Sequence, residues 1–286
     1  MSSDALPTIL AEVDGWKPDT VAVGATSAST TLATHGPSDA VLPFASLTKP
    51  LAAYATLIAV RDGLVHLDEP AGPKADEGAT VRHLLAHASG LPPEEGGVMS
   101  TAPGTRRIYS NWGYDVLGEL VAERVGEPFA DHLEHEVLAP LGMSATVLEG
   151  SPAYAAKGTV DDLLAFAREL LDPTLLDADD LTEAATVAWP DLDGVVPGYG
   201  RQAPCPWGLG LEIKGAKDPH WTGPELSPDV FGHFGRSGSF LLIDPTRQVA
   251  LAELADRDFE RWAIDAWPSF TDRATTAAAE RAEGDA

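Results

Sequence analysis

Residues 43–55 read PFASLTKPLAAYA, and from Ser46 to Gly63 the chain is rich in Ala and Leu with no Gly before its end. This composition predicts a buried helix that ends at Gly63. Upstream, residues 20–34 (TVAVGATSASTTLAT) are rich in Val, Thr and small side chains, which predicts extended chain. The chain therefore changes from strand to helix shortly before Ser46.

The rest of the chain continues this segregation of strands and helices. Further helices are predicted at 80–87, 114–125 and 129–138, and a capping box opens another from Thr159 to Leu171. Strands are predicted at 207–213, 230–234, 239–243 and 248–254, and a last helix at 260–281. Because strands lie at both ends and no βαβ alternation occurs, we predict an α+β fold, an antiparallel β-sheet flanked by helices with an inserted all-helical lobe. We expect a single domain, 1–286, with a sheet lobe at about 1–45 and 205–286 and a helical lobe at about 46–204.

The charge of the chain excludes several classes of partner. Its 286 residues carry 19 Lys and Arg against 44 Asp and Glu, a formal charge of −25, so nucleic acid and anionic lipid would repel it. The single cysteine, Cys205, excludes an internal disulfide and a Cys-based zinc site. Residues 1–16 lack the basic start of a signal peptide, and no apolar run reaches the ~20 residues of a membrane span. We expect a cytoplasmic protein that binds a small molecule, with no nucleic-acid or membrane partner.

Ser46-Leu47-Thr48-Lys49 brings a hydroxyl and an amine to one face of the predicted helix, because residues three apart are neighbours there. A desolvated lysine loses its proton more easily, and the neutral amine can then take a proton from serine. The N-terminus of a helix also offers unpaired N–H groups to a developing oxyanion. The alternative is a surface lysine that follows a serine by chance.

A second pattern is Tyr109-Ser110-Asn111, within RRIYSNWGYDVLGELVAE at 106–123. The functional interpretation makes the Tyr109 phenol a proton shuttle and uses the Asn111 amide to bind substrate. The alternative is structural, with Asn111 as the N-cap of the helix that follows.

A third pattern is His233-Phe234-Gly235, within DVFGHFGRSGSFLLIDP at 229–245, between two predicted strands. Glycine allows a substrate to approach the strand edge closely, because no side chain blocks it. The alternative is a glycine-rich hairpin turn with a half-buried histidine.

The order of these patterns resembles the serine β-lactamase and penicillin-binding protein-like family, in its branch of class C β-lactamases, D-alanyl-D-alanine carboxypeptidases and related esterases. Residues 81–91 (VRHLLAHASGL) are similar to the family's His-Leu-Leu-x-His-x-Ser-Gly-Leu signature, and residues 138–143 (LAPLGM) to its Pro-Leu-Gly-Met turn. The resemblance runs from about Phe44 to Leu254. It implies one serine hydrolase domain with the β-lactamase/transpeptidase-like fold, in agreement with the layout above.

The resemblance also implies a role for each site residue. Ser46 would be the nucleophile, Lys49 its general base, and Tyr109 the group that passes a proton to the leaving group. The predicted substrate-binding residues are Asn111, His233, Gly235 and Arg236, and the backbone N–H groups of Ser46 and Arg236 would form the oxyanion hole. The family's chemistry implies no organic cofactor and no metal.

Phe234 departs from the family pattern, because penicillin-recognising relatives usually have threonine or serine there to hold a substrate carboxylate. The chain is also short between Leu171 and Trp207. We therefore predict a serine hydrolase that forms an acyl-enzyme on a small ester or amide, carboxylesterase-like rather than β-lactam-directed. A β-lactamase, in which Arg236 holds the carboxylate, a D-amino-acid peptidase, a transesterase on acyl thioesters and a non-catalytic ligand-binding protein remain alternatives. The oligomeric state is open.

Five other side chains have simpler interpretations. His132 and His135, in HLEHE, are assigned to a solvated helix face rather than to a metal site. Cys205, in APCPW, is assigned to a loop without a catalytic base nearby. Trp207 and Trp221 belong either to a pocket or to the core.

Overall fold

A computed structural model describes residues 5–98 and 101–285 of the chain. The helices are α1 (Leu6–Leu10), α2 (Thr48–Arg61), α3 (Val81–Leu85), α4 (Asn111–Val125), α5 (Phe129–Leu133), α6 (Val160–Leu171), α7 (Ala178–Ala184) and α8 (Arg261–Asp285). The strands are β1 (Val21–Ser27), β2 (Thr31–His35), β3 (Leu42–Pro43), β4 (Val147–Leu148), β5 (Ala156–Gly158), β6 (Gly194–Val196), β7 (Gly200–Gln202), β8 (Glu212–Ile213), β9 (Phe231–Gly235), β10 (Ser239–Asp244) and β11 (Val249–Ala255).

The principal sheet has six antiparallel strands in the order β2-β1-β11-β10-β9-β8. Strand β1 pairs with β11 along its whole length, with Val21 opposite Ala255 and Ser27 opposite Val249. The first and last strands of the chain thus lie side by side at the centre of one sheet. This confirms the predicted α+β fold with an antiparallel sheet flanked by helices.

Both faces of this sheet are covered. Successive side chains of a strand point to opposite faces, so Val249 and Leu251 of β11 join the core shared with α1 and α8. Ala250 and Ala252 face the other core, which contains α2, α4 and α6. Helix α6 contacts β1 and β11 directly although it lies in the segment assigned to the helical lobe. The division of the chain into two lobes stays a prediction.

Helix α2 is buried from Thr48 to Ala59, as expected for a helix that is apolar on all sides. Thr48 fixes its first turn, because its Oγ1 donates to the Ala45 carbonyl at 2.7 Å and accepts from the Ala156 N–H at 3.0 Å. Ser46 lies just before the helix, in the 3₁₀ turn Ala45–Leu47. Ala45 itself has φ +46°, a left-handed conformation that is strained for a residue with a side chain.

The predicted strand at 207–213 is wrong for most of its length, since only β8 pairs with β9. Gly208 donates its N–H to the Leu211 carbonyl at 2.9 Å, and Gly210 has φ +85°, which folds the chain back on itself. A Cβ at Gly210 would lie 2.1 Å from the Cβ of Ala53, so the turn packs directly on α2. The two glycines therefore make a turn where alternating hydrophobicity indicated a strand.

Side-chain N-caps fix the first residue of two helices. Helix α4 begins at Asn111, three residues before the predicted start, because the Ser110 Oγ accepts from the Gly113 N–H at 2.8 Å. The structural interpretation of Asn111 as the N-cap is therefore wrong. Helix α6 begins after Thr159, whose Oγ1 accepts from the Asp162 N–H at 3.1 Å. Within the described residues, no helix combines the length and apolar character needed to cross a membrane.

Candidate active site

A cavity of about 520 Å³ opens where the turn before α2, the start of α4 and the edge of β9 meet. Five of the seven predicted site residues line it: Ser46, Tyr109, Asn111, His233 and Arg236. Lys49 lies behind Ser46 and is fully buried. Gly235 does not line the cavity. The three sequence patterns, separated by more than sixty residues in each case, thus meet at one place.

Lys49 is held by three acceptors. Its Nζ lies 3.5 Å from the Ser46 Oγ, 2.7 Å from the Asn111 Oδ1 and 2.9 Å from the Ala153 carbonyl. Burial lowers the pKa of Lys49 to about 7, against the opposing effect of the Asp115 and Glu94 carboxylates. A large fraction of the amine is therefore neutral near pH 7, and a neutral amine beside a serine hydroxyl is able to accept its proton.

The hydroxyl group of Tyr109 forms a hydrogen bond with the Ser46 side chain. Its ring centroid lies 4.6 Å from the Lys49 Nζ and 4.5 Å from the His87 ring. Burial raises the pKa of Tyr109 well above its usual range, although the bond to Ser46 opposes this shift. The phenol is therefore protonated at neutral pH and holds a proton next to the candidate nucleophile.

Asn111 connects the buried lysine to the cavity rim. Its Oδ1 accepts from Lys49, and its Nδ2 donates to the Oε1 of Glu94 at 2.7 Å. Both ends of the amide are therefore engaged within the protein. The contact of Asn111 with substrate stays a prediction, whereas its contact with Lys49 is part of the structure.

His233 lines the cavity as a neutral acceptor. Its Nδ1 lies 2.6 Å from the Phe234 carbonyl, so the Nδ1–H donates and the lone pair stays on Nε2. Within the described residues this buried Nε2 has no hydrogen-bond partner. Burial and the nearby Lys49 lower the pKa of His233 to about 4. The side chain therefore offers an acceptor at a position where a lysine would offer a positive charge.

Gly235 packs closely against its neighbours. A Cβ at this position would lie 2.6 Å from the Phe44 carbonyl oxygen and 2.8 Å from the Ser239 Oγ. The missing side chain thus lets β9 lie against the turn that carries Ser46, and the contact of Gly235 with substrate stays a prediction. The next residue, Arg236, extends its side chain into solvent (87% exposed), with its Nε 3.7 Å from the Asp258 Oδ2. The oxyanion hole formed by the N–H groups of Ser46 and Arg236 stays a prediction.

The sequence analysis missed several residues of the cavity wall. Trp207, which the sequence assigned either to a pocket or to the core, lines the cavity. The lining residues that the sequence analysis did not place there are Pro43, Ala45, Glu94, Tyr154, Val196, Pro197, Glu212, Phe234 and Phe259. Four of them, Glu94, Tyr154, Pro197 and Phe259, belong to loops, whose position depends on tertiary packing rather than on a local pattern. Phe234 was singled out as a departure from a motif, and its ring packs 4.9 Å from the Phe259 ring.

Glu212 is the least expected of these, because it is a buried carboxylate. Its Oε1 accepts from the Lys217 Nζ at 2.9 Å and the His220 Nε2 at 3.2 Å, and its Oε2 accepts from the Trp221 Nε1 at 2.9 Å. Burial by itself would raise the pKa of Glu212, but Lys217 and His220 hold it well below its usual range. These four side chains form a charged network under the cavity. The only signal in the sequence is a pair of charged residues close to a predicted strand.

The remaining side chains from the sequence analysis lie elsewhere. His132 is buried and its Nε2 lies 3.0 Å from the Ala55 carbonyl, so its assignment to a solvated face is wrong. His135 is exposed, as expected. Cys205 is buried, and burial raises the pKa of its thiol. Trp221 is 1% exposed and belongs to the core and to the Glu212 network.

Comparisons with known proteins agree with this geometry. A model of the family described as "Beta-lactamase" matches residues 20–268. Among curated proteins, the D-alanyl-D-alanine-carboxypeptidase/endopeptidase AmpH of Escherichia coli K12 is 28% identical over 147 residues, which is 40% of this chain and 38% of AmpH. A beta-lactamase of Pseudomonas fluorescens is 25% identical over 281 residues, 75% of this chain and 78% of that protein.

Solved structures extend the likeness to nearly the whole chain. A beta-lactamase from Mycobacterium bovis is 46% identical with a TM-score of 0.91, covering 95% of this chain and 99% of that one. EstCE1, a hydrolase with promiscuous acyltransferase activity, is 14% identical with a TM-score of 0.78, covering 94% and 97%. At that low identity, the second likeness concerns the fold alone.

Proposed function

The chain belongs to the beta-lactamase family and is a serine hydrolase, and we propose that it acts through an acyl-enzyme on small carboxylic esters. The proposal concerns three finer points: the covalent intermediate, the residues that carry each step, and the preference for esters over β-lactams and D-amino-acid peptides. Its substrate would be a small molecule, since a formal charge of −25 disfavours nucleic acid.

In the proposed mechanism, neutral Lys49 takes the proton from the Ser46 hydroxyl as the Oγ attacks the ester carbonyl. The backbone N–H groups of Ser46 and Arg236 stabilise the oxyanion. The tetrahedral intermediate collapses when the bond to the leaving oxygen breaks, and Tyr109 gives that oxygen its proton and regains one from Lys49. Water then attacks the acyl-Ser46 ester by the same proton route, which releases the acid and restores the serine.

The observation that carries the ester preference is the aromatic wall formed by Phe234 and Phe259. Their ring centroids lie 4.9 Å apart, and both rings line the cavity together with Val196 and Pro197. Phe234 replaces the hydroxyl that grips a carboxylate in penicillin-recognising relatives, and the neutral His233 adds no positive charge. Burial against such a wall stabilises a bound apolar acyl chain, whereas a carboxylate would lose its hydration there.

A β-lactamase is the second candidate, and the exposed guanidinium of Arg236 at the cavity rim favours it. A guanidinium can bind a carboxylate with two hydrogen bonds in place of the missing hydroxyl. The name of the Escherichia coli relative points in the same direction for D-alanyl peptides. Both alternatives act on substrates that carry a carboxylate. A comparison of such substrates with an uncharged ester therefore separates both alternatives from the proposed esterase.

The test compares kcat/KM for 4-nitrophenyl butyrate, a chromogenic cephalosporin and a D-alanyl-D-alanine peptide on one preparation. We expect kcat/KM for the ester to exceed both other values by at least about tenfold, and a cephalosporin advantage that disappears in Arg236→Ala would overturn the preference.

Ser46→Ala should lose activity by several orders of magnitude. It should also lose the adduct that a fluorophosphonate leaves in the intact mass, whereas Ser269→Ala on the exposed face of α8 keeps both. A non-catalytic binding protein would show no adduct in the unaltered chain.

A further inference from the structure

A second cavity, of about 420 Å³, adjoins the candidate active site. Tyr109 and Pro197 line both cavities, so they form the boundary between them. We call the second one the Arg106 groove, and its other lining residues include Pro93, Arg106, Ile108 and Val195. None of the sequence patterns points to it except through Tyr109.

The Arg106 groove is lined by apolar side chains and by two arginines, the exposed Arg106 and the buried Arg107. Pro93, Ile108 and Val195 present hydrocarbon surface, and the Val195 side chain is among the exposed large hydrophobic ones, with 51% of the residue exposed. Arg106 is exposed and makes no ion pair or hydrogen bond with residues 5–98 or 101–285. Nine other arginines of the described residues form ion pairs with acidic side chains. The groove is therefore complementary to an apolar body that carries a negative charge.

The wall of the groove is built before any ligand binds. Arg107, the next residue, is buried, and its guanidinium donates to the carbonyls of Cys205, Ala86 and Ala188. The Arg107 N–H donates to the Asp193 carbonyl at 2.9 Å. These bonds fix the segment that carries Arg106 on one side and Tyr109 on the other, so little conformational entropy is lost when the groove is filled.

We propose that the Arg106 groove binds the leaving group of the substrate, and that this leaving group carries an anionic substituent, a carboxylate or a phosphate, which Arg106 recognises. The proposal rests on the proposed hydrolase function. If Tyr109 protonates the leaving oxygen, the leaving group lies beside Tyr109, and Tyr109 is also part of the wall of the groove. Glu94, which follows Pro93 in the chain, is engaged by Asn111 and lines the other cavity. The acyl group would occupy the wall of Phe234 and Phe259.

The test uses two butyrate esters that differ in one group, with 4-nitrophenol or 3-carboxy-4-nitrophenol as the leaving group. We expect Arg106→Ala to lower kcat/KM for the carboxylated ester about fivefold, mainly through KM, and to leave the uncharged ester unchanged. Arg106→Glu should lower it further, Arg106→Lys should keep most of it, and the effect should shrink in 0.5 M salt. Arg124→Ala is the matched control, since this arginine lies at the far end of α4, about 20 Å from Asn111.

A binding measurement separates this proposal from the hydrolase function. In Ser46→Ala, calorimetry should show that 3-carboxy-4-nitrophenol or the monophosphate of 4-nitrocatechol, which keeps a free phenol, binds more tightly than 4-nitrophenol, with the stronger of the two anions identifying the substituent. Arg106→Ala in that background should abolish the difference. Equal affinity of all three compounds, or an equal loss for both esters in Arg106→Ala, would overturn the proposal while leaving Ser46-dependent hydrolysis intact.

Discussion

The Nζ atom of Lys49 lies 2.7 Å from the Oδ1 atom of Asn111, closer than its 3.5 Å approach to the Ser46 Oγ. The amide oxygen is a strong acceptor for an ammonium group and offers nothing to the lone pair of a neutral amine. The contact therefore favours the protonated lysine, while burial favours the neutral one. In the proposed mechanism, Asn111 would therefore limit the share of neutral Lys49 that is available to Ser46.

Activity should rise with pH through the pKa of Lys49, at about 7, because only the neutral amine accepts the serine proton. Asn111→Asp places a negative charge on the ammonium and should move the midpoint of the kcat/KM profile upward by about one unit or more. Lys49→Arg, which keeps the charge but does not serve as a base, should be nearly inactive at every pH. A profile that is flat across pH 6–8 in the unaltered enzyme would place the base elsewhere.

Tyr109→Phe should lower kcat for alkyl esters such as ethyl butyrate by about 10²–10⁴-fold, since it removes a general acid while keeping the ring, and should affect 4-nitrophenyl esters much less, because nitrophenolate departs without a proton. The ring still packs against His87 and Trp207, at centroid distances of 4.5 Å and 6.0 Å, so the fold is expected to survive. Tyr154→Phe is the control, because Tyr154 lines the same cavity with half of its surface exposed. Equal rates for the two variants would remove Tyr109 from the proton route.

Local patterns predicted the parts of the site that a few adjacent residues determine. The spacing of Ser46 and Lys49 required only that a helix start there, and the buried, alanine-rich stretch behind them predicted that helix. The segregation of strands and helices likewise predicted a sheet formed by the two ends of the chain, because the strands lie at both ends and no βαβ alternation occurs.

The rest of the site depends on long-range packing that no local pattern reports. Glu212 reaches the cavity because Gly208 and Gly210 fold the chain back on itself, and Glu94 because its loop is tied to Asn111. The packing of Gly235 is another example, because its nearest neighbour is the Phe44 backbone, over 190 residues away in the chain. The aromatic partner of Phe234, Phe259, comes from the loop before α8.

Phe234→Thr should lower kcat/KM for butyrate esters and raise the ratio of cephalosporin to ester turnover, because a hydroxyl replaces the apolar wall. It should also destabilise the protein by about 3 kcal/mol, since the buried ring leaves a space beside Phe259 and Trp267. Phe234→Leu separates the two effects by losing aromatic contacts while keeping the wall apolar. A ratio that moves equally in both variants would show that the hydroxyl is not responsible.

Glu212→Gln should lower the free energy of unfolding by about 3–5 kcal/mol, because it leaves the fully buried Lys217 ammonium without a countercharge. Combining it with Lys217→Met should recover a large part of that loss, since the uncompensated charge is removed as well. Urea unfolding of both single variants and the double variant measures this coupling. If the losses are additive, the pair does not act as a unit and the network has another basis.

The last prediction concerns Glu253, a fully buried carboxyl on β11 that lies opposite Val23 and Phe240. Neither of its oxygens has a hydrogen-bond partner within the described residues, and burial raises its pKa well above the usual range. In the unfolded chain the same group ionises at a pKa of about 4.3. Above that pH the native state therefore binds more protons than the unfolded state does, and stability falls as the pH rises.

The sign and slope of this dependence are fixed by linkage. The contribution of the protonated Glu253 to the free energy of unfolding is complete below the pKa of the unfolded chain. It is lost as the pH rises toward the pKa of the folded state, at about 1.4 kcal/mol per pH unit. Glu253→Gln removes the titration, so the variant should gain stability relative to the unaltered protein as the pH rises above 5, by up to that amount per unit below the folded pKa. Urea unfolding at four pH values measures the difference, with Glu280→Gln on the exposed face of α8 as the control. Parallel stability curves for Glu253→Gln and the unaltered protein would mean that Glu253 is ionised in the native state, which would require a buried cationic or water-filled site next to it.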